Sequence, residues 1–271
     1  MPELPEVETT RTALYDHLVG QTITAVTVNL PKVTANLTPA DFAHALTHQT
    51  ITDFTRRGKF LTLWFQSGDS ATLHLRMTGT LTIDPLDLPC APHTNLILTL
   101  ANGTQLRFTD SRGFGKWWFT PAGQPDPSGI QNLGPEPHAI TVAALTQMCH
   151  GRQCALKTLL LDQHNIAGIG NIYADEICFR AHVLPIKPAG ALTPAEIQAV
   201  AREIPAVISE FIRFHHVSFA VYNQSRGTSY QTDTNLKVYG HAGDPCPQCG
   251  TPLTGARVGQ RSTVFCTQCQ H

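Results

Sequence analysis

The sequence predicts an α+β fold, in which an N-terminal helix and an antiparallel β-sandwich precede a helical half that ends in a metal-bound β-hairpin. Three observations predict it. Apolar residues recur with a helical period at the start, alternate from about residue 23 to residue 119, and return to a helical period after residue 142. A stretch rich in proline and glycine separates the two halves. Four cysteines near the C-terminus have the spacing of zinc ligands.

The first helix is predicted over residues 7–19. Val7, Leu14 and Leu18 fall near one helical face, and Gly20 is a plausible stop signal. Alternating apolar residues then predict strands at residues 23–28, 60–65, 71–75, 96–100 and 106–109. The pair Asn102-Gly103 lies between the last two strands and favours a tight hairpin turn. A helix followed by many antiparallel strands indicates a β-sandwich.

The stretch rich in proline and glycine covers residues 121–137, which contain five prolines and three glycines, and it marks a linker between the two halves. After it, helices are predicted at residues 143–150, 156–162, 171–181 and 194–213. Thr193 and Glu196 form a typical helix start around Pro194. We therefore divide the chain into an N-terminal domain (1–120), a linker (121–142), a helical domain (143–235) and a metal-binding segment (236–271).

The metal site is predicted at Cys246, Cys249, Cys266 and Cys269, which read C-x2-C-x16-C-x2-C. This spacing is typical of a zinc site with four thiolate ligands, which leaves no open coordination position. We therefore expect one structural zinc ion per chain. The alternative is a pair of disulfides, which is less favoured in a chain without an export signal. A four-cysteine zinc site alone does not say whether its partner is protein, DNA or RNA.

The composition excludes some classes of protein. No apolar run reaches the roughly 18 residues of a membrane span, and the acidic N-terminus is unlike a secretory signal. We therefore expect a cytoplasmic protein that does not bind membranes. The net charge of −1 argues weakly against a nucleic-acid partner, although local charge decides such binding.

The N-terminus carries the chemistry of greatest interest. If Met1 is removed, Pro2 has a free secondary amine, and Glu3 and Glu6 lie within about one helical turn of it. An amine beside two carboxylates is a nucleophile with acid–base partners. An α-amino group is also far richer in its neutral form at pH 7 than a lysine. The alternative is that Pro2 and Pro5 only open a helix with an acidic first turn.

Two loops of the strand-rich half have residues suited to DNA. In residues 74–79, Met77 could wedge between bases or could pack in the core. In residues 110–115, Arg112 could read a base edge and Phe114 could unstack a step. The alternative for the second loop is a hairpin turn with an incidental ion pair between Asp110 and Arg112.

A third candidate is the glycine-containing turn at residues 167–173. Gly170 and Asn171 precede a predicted helix, whose free N–H groups and dipole could hold a phosphate. Asn171 could also act as a helix cap. The alternative is a tight connection between two helices, since a lone G-x-G is weak evidence.

Taken together, these segments resemble the formamidopyrimidine-DNA glycosylase family of bacterial base-excision repair. The matching motifs are MPELPEVE, RRGKFL, HLRMTG, DSRGFG, NLGPEP, LLLDQHNIAGIGNIYADEICFRA and VFCTQCQ. They span the chain in order, and their combination is far more specific than any one of them. The resemblance implies a helix-two-turns-helix domain and a zinc finger beside a β-sandwich, with double-stranded DNA that carries a damaged base as the partner of a monomer.

The family's activity implies roles for individual residues. The damaged nucleotide is flipped out of the duplex, and an N-terminal proline displaces an oxidised purine, such as 8-oxoguanine or a formamidopyrimidine. The resulting Schiff base leads to β,δ-elimination of the strand, so that no organic cofactor is needed. The expected catalytic residues are Pro2, Glu3, Glu6, Lys59 and Arg261. The expected DNA-contacting residues are His74, Met77, Arg112, Phe114, Lys157, Gly170 and Asn171.

The chain departs from the family in the segment expected to cover the flipped base, at residues 217–230. Ala220 and Val221 stand where family members often carry a basic residue and then an acidic or amide residue. Selection between 8-oxoguanine and ring-opened purines is left open by this departure. Two rival functions also stay open: an endonuclease VIII-like glycosylase for oxidised pyrimidines, and a non-catalytic DNA-binding protein that senses damage.

Overall fold

The computed structural model describes residues 2–228 and 235–271. Its described residues form two compact units. The first contains Pro2 and residues 6–131 and 215–228; the second contains residues 3–5, 132–214 and 235–271. The division within the linker falls between Gln131 and Asn132. The finer division into four segments stays a prediction.

The first unit contains two antiparallel sheets of four strands. One sheet has the order β1-β6-β7-β5 and the other has the order β2-β3-β4-β8. The strands are β1 (Ile23–Val28), β2 (Ile51–Arg57), β3 (Phe60–Phe65), β4 (Ser70–His74), β5 (Thr80–Pro85), β6 (Thr94–Leu100), β7 (Thr104–Thr109) and β8 (Lys116–Thr120). The predicted Asn102-Gly103 turn joins β6 and β7, where Leu98 pairs with Leu106. The prediction of antiparallel sheets is confirmed.

A single hydrophobic core lies between these sheets. Leu96, Leu98 and Phe108 come from the first sheet, and Leu61 and Leu73 from the second, and all five are fully buried. The alternating pattern of the strands produces this arrangement because successive side chains point to opposite faces. The two sheets therefore form the predicted sandwich.

In the N-terminal half, one helix begins earlier than predicted and another helix was not predicted. Helix α1 spans Leu4–Leu18 and so begins three residues before the predicted start. Helix α2 (Pro39–Leu46) lies in the segment that we expected to be all strand. It begins with a clear cap, since the Thr38 hydroxyl accepts the backbone N–H of Asp41. Phe42 of α2 is fully buried in the sandwich core, which explains why a short helix is stable there.

The second unit is helical. Its helices are α3 (Val142–Cys149), α4 (Leu156–Leu161), α5 (Asn171–Arg180) and α6 (Pro194–His215), and the last residue of α6 belongs to the first unit. The predicted start of α6 is confirmed, because Thr193 and Glu196 exchange backbone-to-side-chain hydrogen bonds of 2.8 and 3.3 Å. A further short helix, α7 (Phe219–Gln224), follows in the first unit.

The C-terminal part of the second unit is a two-stranded hairpin. Strand β9 (Thr254–Val258) pairs with β10 (Arg261–Phe265), so the predicted strand at residues 261–265 is confirmed. A small cluster of buried residues supports it, including Phe179, Val238 and Leu253. These observations confirm the α+β class with a C-terminal hairpin. Among the helices described, none combines the length and the apolar character needed to cross a membrane.

Candidate active site

The carboxylate of Glu3 lies at the N-terminus of α5. It accepts the backbone N–H of Gly170 at 2.8 Å and that of Ile172 at 3.0 Å, and the Glu3 side chain is almost fully buried. These N–H groups have no partner within their own helix, and the helix dipole favours an anion near them. The N-terminus of α5 therefore binds an anion that the chain itself supplies.

This geometry corrects the interpretation of the glycine turn as a phosphate site. The anion-binding N–H groups of Gly170 and Ile172 are already occupied by Glu3. The turn is shaped for that purpose, because a Cβ on Gly170 would lie 2.3 Å from Cδ of Glu3. Gly168 has a φ of +88°, and its carbonyl accepts the N–H of Leu4 at 3.1 Å. The turn thus fixes residues 3 and 4 of the chain.

Replacing Gly170 with alanine is expected to displace the Glu3 carboxylate. The added Cβ cannot coexist with Cδ of Glu3 at 2.3 Å, so at least one charged hydrogen bond is lost. We expect the free energy of unfolding to fall by about 2 kcal/mol, as measured by urea denaturation. Gly255→Ala is the matched control because its Cβ would meet only Ala242, at 3.1 Å. An equal loss in both variants would show that the Glu3 contact is not the cause.

The other N-terminal residues are also buried. Pro2 is buried, and the Glu6 side chain is only 3% exposed. Oε1 of Glu6 lies 3.4 Å from Nδ1 of His215, which is fully buried. Chain termini are usually poorly ordered, so a terminus held in the interior indicates a specific role.

Lys59 and His74 lie near each other in the first unit. Lys59 is 8% exposed and directly precedes β3, where Phe60 pairs with His74 of β4. Burial, together with the nearby positive charges of Arg76 and Lys59, lowers the pKa of His74 to about 3. Nδ1 of His74 accepts the backbone N–H of Arg76 at 2.9 Å. His74 is therefore a neutral acceptor in this state.

Asp110 organises the loop that carries Arg112. Its buried carboxylate accepts the backbone N–H of Gly115 at 2.7 Å and that of Arg112 at 3.2 Å. It also accepts the hydroxyl of Thr78, from the neighbouring loop. One carboxylate therefore ties the two predicted DNA-contacting loops together.

The side chains of Met77, Arg112 and Phe114 meet at the surface. Nη1 of Arg112 lies 2.9 Å from Sδ of Met77, and its guanidinium carbon lies 4.8 Å from the centre of the Phe114 ring. Met77 is 41% exposed and Phe114 is 47% exposed, which argues against the alternative of core packing for Met77. The Asp110 carboxylate accepts the backbone N–H of Arg112, whereas the Arg112 guanidinium contacts Met77 and Phe114. This arrangement differs from the alternative of an ion pair between Asp110 and Arg112. A methionine, an arginine and an aromatic ring are thus presented as one exposed cluster.

Lys157 differs from the expectation of a phosphate ligand. Its ammonium is fully buried, 2.7 Å from Oδ1 of Asp175. It also donates to the carbonyl of Ser262 at 2.6 Å and to the hydroxyl of Thr263 at 3.0 Å. The pKa of Asp175 is raised to about 7 because the effect of burial exceeds the opposing effect of the nearby ammonium. With three protein partners, Lys157 holds the hairpin strand β10 and does not present its charge at the surface.

Asn171 lies next to β10, the strand that begins at Arg261. Nδ2 of Asn171 lies 3.2 Å from the hydroxyl of Ser262, the residue after Arg261. Arg261 is exposed at the start of β10. Lys157 binds the carbonyl of the same serine, so β10 is hydrogen-bonded to residues of both α4 and α5. Side-chain amides and guanidinium groups are both common donors to the phosphates of DNA.

The four predicted metal ligands converge. Their sulfur atoms all lie within 4.8 Å of one another. Sγ of Cys246 is 3.9 Å from that of Cys269, and Sγ of Cys249 is 3.5 Å from that of Cys266. Tetrahedral zinc with Zn–S bonds near 2.3 Å separates its sulfurs by about 3.8 Å, whereas a disulfide bond is about 2.05 Å. The cluster fits a structural zinc ion, which confirms the prediction and excludes the disulfide alternative.

The segment with the unusual Ala220 and Val221 is partly described, since the last two residues of the range 217–230 lie outside the described residues. Both side chains are exposed on α7, while Tyr222 is fully buried. The side-chain amide of Asn223 bonds both the N–H and the C=O of Ile83, at 2.9 and 2.7 Å. The segment is thereby attached to β5, an edge strand of its sheet.

Two residues of the site were missed by the sequence analysis. Asp110 entered only as a possible ion-pair partner, and His215 was not considered. Each acts through a partner distant in sequence: Asp110 contacts Thr78, and His215 lies near Glu6. No local pattern marks such pairs, because periodicity reports on neighbours within an element.

Three family models match the chain. They are the formamidopyrimidine-DNA glycosylase N-terminal domain (residues 1–117), the formamidopyrimidine-DNA glycosylase H2TH domain (133–222) and the zinc finger found in FPG and IleRS (243–271). Together they cover most of the chain, including every predicted site residue.

Known proteins are similar over the whole chain. A formamidopyrimidine-DNA glycosylase of Symbiobacterium thermophilum is 39% identical, and the alignment covers 100% of this chain and 89% of that protein. A complex of Lactococcus lactis Fpg with DNA containing an abasic site matches with a TM-score of 0.89 and 30% identity, covering 99% of each chain. A complex of the same enzyme with DNA containing an oxidised pyrimidine has a TM-score of 0.89 and 29% identity, covering 100% of each chain.

Proposed function

The chain belongs to the formamidopyrimidine-DNA glycosylase family, and from this premise we propose how its residues excise oxidised purines from DNA. It is a DNA glycosylase of base-excision repair that also has AP lyase activity. Its substrates are 8-oxoguanine and formamidopyrimidines in double-stranded DNA. We also infer a cytoplasmic location, with association to the nucleoid through the DNA substrate.

One observation carries the assignment of the catalytic residues: the N-terminal segment is fixed in the protein interior. Pro2 is buried, and the carboxylate of Glu3 is held by two backbone N–H groups at 2.8 and 3.0 Å. A terminal amine needs a fixed position to attack a sugar carbon at a productive distance. The cap on α5 supplies this by restraining the residue next to Pro2.

Pro2 is the proposed nucleophile. Its secondary amine attacks C1′ of the flipped nucleotide, and the glycosidic bond to the damaged base breaks as the base takes up a proton. Opening of the sugar ring then leaves an iminium ion between the proline nitrogen and C1′. A secondary amine gives a cationic iminium without a further proton, so the electron sink forms directly.

Glu3 and Glu6 are the proposed acid–base partners. In this state Glu3 accepts hydrogen bonds from the α5 N-terminus. That suits a carboxylate that receives a proton from the Pro2 amine and then delivers it to the leaving base or to the ring oxygen. Glu6 completes the network one helical turn further along the chain.

Strand cleavage follows from the iminium ion. It makes the C2′ proton acidic, and removal of this proton expels the 3′ phosphate by β-elimination. A second, δ-elimination expels the 5′ phosphate. We propose that Lys59 contacts a phosphate at this stage and assists the eliminations. Its burial to 8% exposure supports a defined position for the ammonium. Arg261 is the proposed donor to the departing phosphate.

The exposed cluster of Met77, Arg112 and Phe114 is proposed to fill the space left by the flipped nucleotide. A guanidinium offers two parallel donors to the edge of the unpaired base opposite the lesion. A flexible apolar side chain and an aromatic ring can enter the stack and offset part of the cost of flipping. His74 lies at the start of the loop that carries Met77 and supports its backbone through Arg76.

The second unit contributes contacts to the DNA backbone. Asn171 and Arg261 are the proposed phosphate ligands. Lys157 is proposed to support these two residues indirectly, because its ammonium binds Ser262 and Thr263 of β10. Gly170 is proposed to contribute by lacking a side chain, which leaves space for the Glu3 carboxylate at the start of α5. The zinc ion bound by the four cysteines supplies a closed cross-link that stabilises the hairpin on which Arg261 lies.

A trapping assay tests this function and separates it from its rivals. The mature protein is incubated with duplexes that contain 8-oxoguanine, a formamidopyrimidine or thymine glycol, and borohydride is then added. We expect covalent adducts with the first two duplexes. An adduct with thymine glycol alone would identify an endonuclease VIII-like enzyme, and the absence of any adduct would identify a non-catalytic binding protein.

A further inference from the structure

His215 is a buried histidine that contacts the proposed catalytic network. It is the last residue of α6 and has no exposed surface. Its Nδ1 lies 3.4 Å from Oε1 of Glu6, whose side chain is 3% exposed. A buried carboxylate requires a partner, because an ionised group without one is costly in the interior. His215 is thus placed to be a partner of Glu6.

The charge state of His215 follows from its surroundings. Burial lowers the pKa of His215 to about 4, so the imidazole is neutral near pH 7. A neutral imidazole has one N–H donor and one acceptor nitrogen. Facing a carboxylate, Nδ1 is stabilised as the donor. The Nδ1–H donor thus faces an ionised acceptor at 3.4 Å, and a hydrogen bond of that kind is stronger than one between neutral groups.

The surrounding bonds hold both partners in place. The Thr9 hydroxyl lies 3.4 Å from the carbonyl of His215, and the Thr10 hydroxyl donates to the carbonyl of Glu6 at 3.1 Å. The buried hydroxyl of Tyr222 lies 3.1 Å from that of Thr10. Three side chains thus join α1 to the segment that begins at His215.

We propose that His215 is a positioning residue for the glycosylase reaction: its Nδ1–H donates to Oε1 of Glu6 and restrains that carboxylate one helical turn from Pro2. This inference rests on the function proposed above. His215 itself touches neither substrate nor reacting atoms. It acts by keeping Glu6 ionised and oriented for the proton transfers of the N-terminal network.

Two substitutions at this position test the proposal. His215→Leu fills similar space without a donor, whereas His215→Asn places an amide N–H close to the position of Nδ1. With enzyme in excess over an 8-oxoguanine duplex, we expect His215→Leu to slow excision by about 10- to 100-fold. His215→Asn should restore the rate to within about threefold of the wild type. DNA affinity should change by less than about twofold in both, and His216→Leu, at an exposed neighbour, is the control.

The outcomes are distinguishable from a failure of the proposed function. If the wild-type protein forms no adduct, the function is wrong whatever the variants do. If the wild type is active and the leucine and asparagine variants have equal rates, the positioning role is wrong. Nitrogen-15 spectra of the wild type and of Glu6→Gln give a second test that does not require the leucine variant to fold. Identical His215 ring shifts in the two proteins would overturn the proposal.

Discussion

Replacing Pro2 with glycine is expected to lower the yield of borohydride-trapped adduct on an 8-oxoguanine duplex by at least about 100-fold. Glycine still offers a terminal amine, but a primary one, whose imine must gain a proton before it can accept electrons. It also lacks the ring that fixes the backbone at residue 2. The measurement is the single-turnover yield of adduct, with DNA affinity determined in parallel by fluorescence anisotropy.

Pro5→Ala is the matched control for this experiment. Pro5 lies in the first turn of α1, and its replacement leaves the terminal amine of Pro2 unaltered. We expect this variant to trap DNA within about threefold of the wild type. Unchanged trapping by Pro2→Gly, or full activity in protein that retains Met1, would contradict the assignment of the nucleophile. Weaker DNA binding by Pro2→Gly would point to a structural effect of the proline.

Much of the fold could be predicted from periodicity, because most of its elements are amphipathic. The fully buried Val7, Leu14 and Leu18 lie on the face of α1 predicted from their spacing. The strand β2 (Ile51–Arg57) was missed because its sequence alternates weakly and ends in two arginines. Helix α2 was missed although Thr38 and Pro39 form a good start signal, since it covers only eight residues among strands.

The candidate site was predictable where its residues form local motifs, and less so where its contacts are distant. The zinc ligands occur as two C-x2-C pairs, and the hairpin brings these together. By contrast, Glu3 caps a helix that begins at Asn171, and nothing near Glu3 in the sequence indicates this. The burial of Lys157 is a similar case. A lysine in a sequence is expected to be exposed, and only the approach of Asp175 and Ser262 makes its burial favourable.

Loss of the zinc ion is expected to have the second large effect. A hairpin of two strands is marginally stable by itself, and structural zinc contributes roughly 10–16 kcal/mol of binding free energy to the folding of small domains. Cys266 is fully buried within the small core of the hairpin. We expect Cys266→Ser to release the metal and to lower the affinity for a duplex containing an abasic-site analogue by at least about 10-fold, because Arg261 would lose its fixed position. The measurements are metal content and fluorescence anisotropy.

Cys90→Ser separates this effect from a general loss of thiol groups. Cys90 is exposed in the first unit and is not one of the four clustered cysteines, so its replacement should leave metal content and DNA affinity unchanged. Arg261→Ala, with zinc retained, should reproduce part of the loss of affinity and reduce the salt dependence of binding by about one phosphate contact. If metal-free Cys266→Ser binds DNA as tightly as the wild type, the proposal that the hairpin holds Arg261 against the DNA backbone is wrong. Asn171 would then be the only phosphate ligand proposed for the second unit.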